Sequence, residues 1–281
     1  MMHIHPVPQD GDPILLDVND LVVHFRTGRK RAWAKPSFVH AVDGVSFRVK
    51  RGTTFGIVGE SGSGKSTTAQ AIMRLVPATS GQVVFRGEDI MPLDGEPLRQ
   101  ARKHLQIVFQ DPFSALDPRR RAGDQIREPL DLLHIGTRSE RDARVKQLLT
   151  EVGLPPEAAD LFPHQFSGGQ RQRLCIARAL APEPELIVCD EAVSALDVAI
   201  QAQILNLLKK LQRERGLTYI FISHDLGVIQ QFCDEIAVMY LGKIVEQAPA
   251  STLFTAPRHP YTWSLVSAAV PPGPLRDERR P

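Results

Sequence analysis

The chain has 281 residues, 42% of them hydrophobic, and balances 34 Lys plus Arg against 32 Asp plus Glu. That is enough to fill one large domain or two small ones, and a net charge of +2 argues against a protein that holds nucleic acid by bulk charge. Cys175, Cys189 and Cys233 stand far apart with no CxxC or Cys/His cluster, so buried, reduced thiols are expected rather than a metal site or disulfide framework.

Residues 1–13 read as a loose, Pro-bearing tail with no apolar centre for a signal peptide. No apolar run approaches the roughly 20 residues that span a bilayer. Strands are expected at 15–18, 21–25 and 45–49, with a basic surface loop at 26–35 carrying Trp33. Residues 55–58 form an apolar run that enters a Gly-rich loop, and 66–75 read as a helix. Residues 106–109 make another short strand, ending at Gln110.

From about 111 to 166 the pattern turns helical. Thr137 and Glu140 can form a capping box, and Val145, Leu148, Leu149 and Val152 fall on one face. We expect a helical subdomain there, about 111–175, inserted into an α/β lobe. A basic helix follows Gln170, and 186–189 is a continuous apolar strand. Ile200, Ile204, Leu207, Leu208 and Leu211 mark a further helical face, and 218–223 and 236–240 are the last clear strands. Strands alternating with helices predict a largely parallel sheet. Residues 256–281 carry six prolines and read as an appendage to a core domain spanning 14–255.

The chemistry lies at strand ends. Gly59-Glu60-Ser61-Gly62-Ser63-Gly64-Lys65-Ser66 matches GxxxxGKS in full. Its glycines let backbone N–H groups curl towards phosphate oxygens, and the following helix, through Thr67, offers a positive N-terminal end. Lys65 can reach the β- and γ-phosphates, and Ser66 can ligate Mg²⁺. Asp190 and Glu191 sit where the apolar strand emerges. Asp190 can hold Mg²⁺ and Glu191 can polarise an attacking water. Gln110 can touch Mg²⁺ or that water, His224 can bond a γ-phosphate, and Phe25 can stack on a base. A Gly-rich turn that binds nothing, a solvated acidic strand end, a structural histidine and a core phenylalanine are the plainer alternatives.

Phe166-Ser167-Gly168-Gly169-Gln170, followed by Arg171-Gln172-Arg173, resembles the signature motif of ABC ATPases. Ser194-Ala195-Leu196-Asp197 is similar to their D-loop, Gln110 to their Q-loop and His224 to their switch histidine. Phe166 replaces the commoner Leu. The resemblance implies a P-loop NTPase fold with a RecA-like core, an antiparallel β-subdomain and an inserted helical subdomain. It also implies a head-to-tail dimer holding two ATP, with Ser167, Gly168, Gly169 and Gln170 of one subunit, and the Asp197 loop, meeting nucleotide held by the other. Phe109 to Arg119, Asp190 to Val198 and Leu253 to Thr262 further resemble the oligopeptide/dipeptide importer ATPases, and the basic loop before His40-Ala41-Val42-Asp43 their F-type member. Such a subunit would hydrolyse ATP at the cytoplasmic face of a membrane. Its partners would be two transmembrane permease subunits, a second ATPase, identical or sister, and an extracytoplasmic substrate-binding protein. Importers of nickel, glutathione or another small solute, a soluble ABC ATPase acting on nucleic acid or ribosomes, and a P-loop kinase are the rivals.

Overall fold

The structure is a computed structural model that describes residues 14–27 and 37–269. The N-terminal tail, most of the basic loop with Trp33 and residues 270–281 lie outside them. Period-two patterning builds the first layer. In β1 (Ile14–Thr27), Leu16, Val18, Leu21 and Val23 are buried, and in β2 (Ser37–Lys50), Val42, Val45, Phe47 and Val49 face them. The break expected near residue 20 is a register shift inside one strand. Asp20 takes a φ of +46° there, and its amide donates to Ser46 Oγ at 2.8 Å.

β3 (Thr54–Val58) is buried throughout and feeds the Gly-rich loop and α1 (Lys65–Ile72). β4 (Ser80–Phe85) and β5 (Glu88–Asp89) join the first two strands in an antiparallel sheet of order β2-β1-β4-β5. α2 (Gly95–His104), capped by Asp94, runs into β6 (Leu105–Val108).

The expected helical region follows as α3 (Pro112–Ala115), α4 (Ala122–Leu132), α5 (Arg138–Glu151), two 3-10 turns and α6 (Gly168–Leu180). Thr137 and Glu140 form the reciprocal cap on α5, and Val145, Leu148, Leu149 and Val152 are buried. The Arg171 guanidinium lies 3.9 Å from the centre of the Phe113 ring, and Arg178 Nη1 donates to the Ala115 carbonyl at 2.7 Å. These contacts tie α6 to the segment that follows Gln110.

The last third alternates β7 (Leu186–Asp190), α7 (Val198–Arg215), β8 (Thr218–Ile222), α8 (Leu226–Phe232) and β9 (Glu235–Tyr240). It ends with β10 (Lys243–Pro249), α9 (Ala250–Thr255) and α10 (Pro260–Ala269). The second sheet has the order β10-β9-β3-β8-β7-β6; all its pairings are parallel except β9 with β10. Its central strands serve two cores. Tyr219 and Phe221 of β8 pack with the helical subdomain, whereas Ile220 and Ile222 pack with α1 and the antiparallel sheet. Burial holds the three thiols protonated, Cys175 at about 11 and Cys189 at about 12, as expected of inert core cysteines. No helix among the described residues is long and apolar enough to cross a membrane.

Candidate nucleotide site

Parallel pairing decides where the site falls. β3, β8, β7 and β6 are adjacent and point the same way, so their carboxyl ends share one rim. Four sequence features arrive there: the Gly-rich loop after β3, His224 after β8, Asp190 and Glu191 at the end of β7, and Gln110 after β6.

The loop bends through Gly59, Gly62 and Gly64, with φ of +152°, +80° and +104°. A Cβ on Gly64 would stand 2.2 Å from the Ala41 carbonyl oxygen, so glycine is obligatory there. The Lys65 ammonium is buried and donates to the carbonyls of Gly59 at 2.7 Å and Glu60 at 2.8 Å. Burial lowers its pKa, against the raising influence of Glu191, Asp190 and Glu60. Ser66 Oγ donates to Asp190 Oδ1 at 2.8 Å. Burial raises the Asp190 carboxyl, with the Ser66 bond and Lys65 opposing.

Two side chains meet on one carboxylate. Gln110 Nε2 donates to Glu191 Oε2 at 2.9 Å, and His224 Nδ1 lies 3.3 Å from the same oxygen. Glu191 holds a φ of +48°, a conformation that costs a non-glycine residue roughly 1–2 kcal/mol. Its backbone is fixed from both sides: its amide donates to the Ile222 carbonyl, and its carbonyl accepts from the amide and hydroxyl of Ser194. Strain locked in this way directs a side chain.

A cavity of about 470 Å³ opens over this rim, lined by Ser61, Gly62, Gly64, Lys65, Ser66, Thr67, Gln110 and Glu191, together with His40 of β2 and Leu241 of the turn between β9 and β10. The lysine, the loop amides and the helix end suit a polyphosphate. The hydroxyl of Ser66, the carboxylate of Asp190 and the carboxamide of Gln110 form the oxygen-rich donor set that suits Mg²⁺.

Other expected residues stand apart from the cavity lining. Phe25 is 42% exposed on β1 rather than core, and it pairs with Val39, which does line the cavity. Ser167 caps α6, accepting the Gln170 amide at 3.3 Å while Gln170 Oε1 accepts the Ser167 amide. Gly168 and Gly169 open that helix, and a Cβ on Gly169 would meet Ile200 Cγ2 at 2.4 Å. Asp197 caps α7 through the Ile200 amide. Sequence reasoning missed His40, Leu241 and Tyr261. Tyr261 Oη accepts the Glu60 amide at 3.1 Å, a contact across 201 positions that no local pattern encodes.

The fold and this rim define a P-loop nucleotide-binding protein. The sequence model of the ABC transporter family matches residues 42–194, and that of the oligopeptide/dipeptide transporter C-terminal region matches 245–281. The glutathione import ATP-binding protein GsiA of Pectobacterium atrosepticum is 48% identical over 97% of this chain, which spans 44% of that protein's length. The oligopeptide transport ATP-binding protein OppF of Bacillus subtilis is 49% identical over 95% of this chain and 86% of its own. Among solved structures, the dimeric ATP-binding cassette MJ0796 in a post-hydrolysis state with ADP and Pi superposes with a TM-score of 0.74. It is 31% identical, over 84% of this chain and 98% of that one. The chain belongs to the ABC transporter family, as one of its ATP-binding cassettes.

Proposed function

We propose that the chain is the ATP-hydrolysing subunit of an importer of oligopeptides or dipeptides, driven by ATP-dependent closure of a dimer. The observation that carries the reading is the convergence of Gln110 and His224 on Glu191 beside the Lys65 cradle. The match of the C-terminal region to oligopeptide/dipeptide transporters supports the substrate class.

In this reading the loop amides, Lys65, Ser66 and Thr67 hold the phosphates of ATP, with Phe25 against the base. Ser66, Asp190 and Gln110 would hold Mg²⁺, which when bound neutralises charge on the phosphate oxygens. Glu191, oriented through Oε2 by Gln110 and His224, accepts a proton from water as the water oxygen attacks the γ-phosphorus and the bond to ADP breaks. Ser167, Gly168, Gly169 and Gln170 would meet the γ-phosphate held by a second ATPase subunit, and the Asp197 loop would adjoin that joint. No second chain is needed to build the cradle itself, but α6 needs one to present its N-terminus to a nucleotide.

Two permease subunits and an extracytoplasmic binding protein complete the assembly, with this chain peripheral at the cytoplasmic face. A glutathione importer is the second reading, favoured by the 48% identity to GsiA. Affinity capture from native membranes, with mass spectrometry, tests both. Two permeases and a second ATPase are expected; uptake of labelled peptide against glutathione by the recovered assembly then separates the substrates. Recovery of ribosomal or nucleic-acid proteins without permeases overturns the transport reading.

A further inference from the structure

The Leu253 to Thr262 stretch stood out in the sequence, yet ATP hydrolysis gives it no task. Its second half forms the start of α10, where Thr262 and Val266 are buried against the main core. Three contacts fix how it begins. The Glu246 carboxylate, on β10, accepts the amides of Arg258 and His259, both at 2.9 Å. His259 Nδ1 accepts the Tyr261 amide at 3.2 Å. The Tyr261 ring packs against Tyr240, with centroids 4.3 Å apart.

So held, Tyr261 reaches the phosphate loop, where its hydroxyl accepts the Glu60 amide. The Glu60 carbonyl is meanwhile taken by Lys65. Both polar backbone groups of Glu60 are therefore pinned, the N–H by the C-terminal helix and the C=O by the catalytic lysine. Just beyond Tyr240, the Gly242 amide donates to the Ser63 carbonyl at 2.9 Å, so the loop is gripped at a second point by the same corner. A loop built on three positive-φ glycines has little stiffness of its own, and any preorganisation it has comes from such outside bonds.

We propose that Tyr261 is a positioning residue for the phosphate loop: α10 braces the Glu60 peptide, so that the cradle keeps its curvature when Lys65 turns towards phosphate. The proposal rests on reading 59–66 as the phosphate cradle. Burial raises the Tyr261 phenol, against the lowering effect of the Glu60 bond, which keeps the hydroxyl protonated at neutral pH.

Tyr261→Phe removes only the hydroxyl and keeps the ring on Tyr240. In the full-length protein, we expect ATP affinity to fall and KM to rise by about two- to tenfold, the worth of one hydrogen bond. We expect kcat to stay within about twofold, melting temperature to fall by no more than a few degrees, and amide exchange to quicken at Glu60 and its neighbours. Glu246→Gln, which loosens the clamp without touching the loop, should shift KM the same way by less. Unchanged ATP affinity and unchanged exchange in Tyr261→Phe overturn the brace. Lys65→Ala separates the two ideas: normal ATP binding by that variant overturns the cradle itself, whereas its loss beside a normal Tyr261→Phe overturns the brace alone.

Discussion

Two Gly-rich helix starts in this chain follow opposite rules. The one before α1 has Gly64 at its N-cap in the left-handed region, with no side-chain cap. The Glu60 amide there is taken by Tyr261, and the loop's curvature is held by Lys65, Tyr261 and Gly242. The one before α6 has Ser167 at its N-cap with ordinary dihedrals and a complete capping box with Gln170. The first has a left-handed glycine and no side-chain cap, an arrangement that favours an anion; the second is capped by its own side chains. That difference suits a primary site that binds nucleotide within one chain and a secondary surface that stays folded until a nucleotide is brought to it.

The largest expected effect lies on the primary side. Glu191→Gln preserves size and hydrogen bonding but removes the proton acceptor. ATP turnover should fall by about 10²–10⁴-fold, while ATP binding persists and a closed dimer accumulates, read by size-exclusion chromatography with ATP. Hydrolysis at the normal rate would remove Glu191 from its assigned role.

Glycine substitutions sharpen the contrast. Gly64→Ala forces a Cβ to 2.2 Å from the Ala41 carbonyl at a φ of +104°. It should abolish nucleotide binding and destabilise the protein by about 1–3 kcal/mol. At Gly168 the nearest atom to an added Cβ is Leu196 Cδ2 at 3.7 Å, in a helix start of ordinary geometry. Gly168→Ala should therefore fold at least as well as the parent and bind ATP normally, yet close the dimer poorly. ATP-driven closure at the parental level would count against a nucleotide meeting this helix start.

The same contrast explains what could be read from sequence. The strand–loop–helix around Lys65, the helix start after Ser167 and the strand end before Glu191 were legible because each follows from a contiguous run with local spacing. The continuity of β1 was not, because a bulge at Asp20 hides strand pairing behind a polar break. β10 was missed because its residues are half-exposed and its pairing with β9 is all that makes it a strand. Ile200 packs against the main core, as expected of that helical face, and from the first turn of α7 it also fills the space beside Gly169. That gives the glycine an intramolecular packing reason, in addition to the expected contact with a partner's nucleotide. Tyr261 could not be placed from sequence, since nothing near it in the chain points to Glu60. Periodicity reports which face is apolar; it does not report which distant backbone group a polar tip will meet.

The smallest effect gives the finest separation. Ser167 and Thr137 each cap a helix through a capping box, on α6 and α5 respectively. Replacing either with Ala should cost about 1 kcal/mol of stability, so the two variants should melt at similar temperatures. Only Ser167→Ala also removes a hydroxyl from the surface expected to meet a partner's nucleotide. It should bind ATP normally and fail to dimerise with it, whereas Thr137→Ala should do both. Equal impairment of both variants would assign the loss to a loosened helical subdomain, because a damaged cap is then sufficient. Impairment of Ser167→Ala alone, at matched stability, would assign it to the hydroxyl, because the cap is then controlled for.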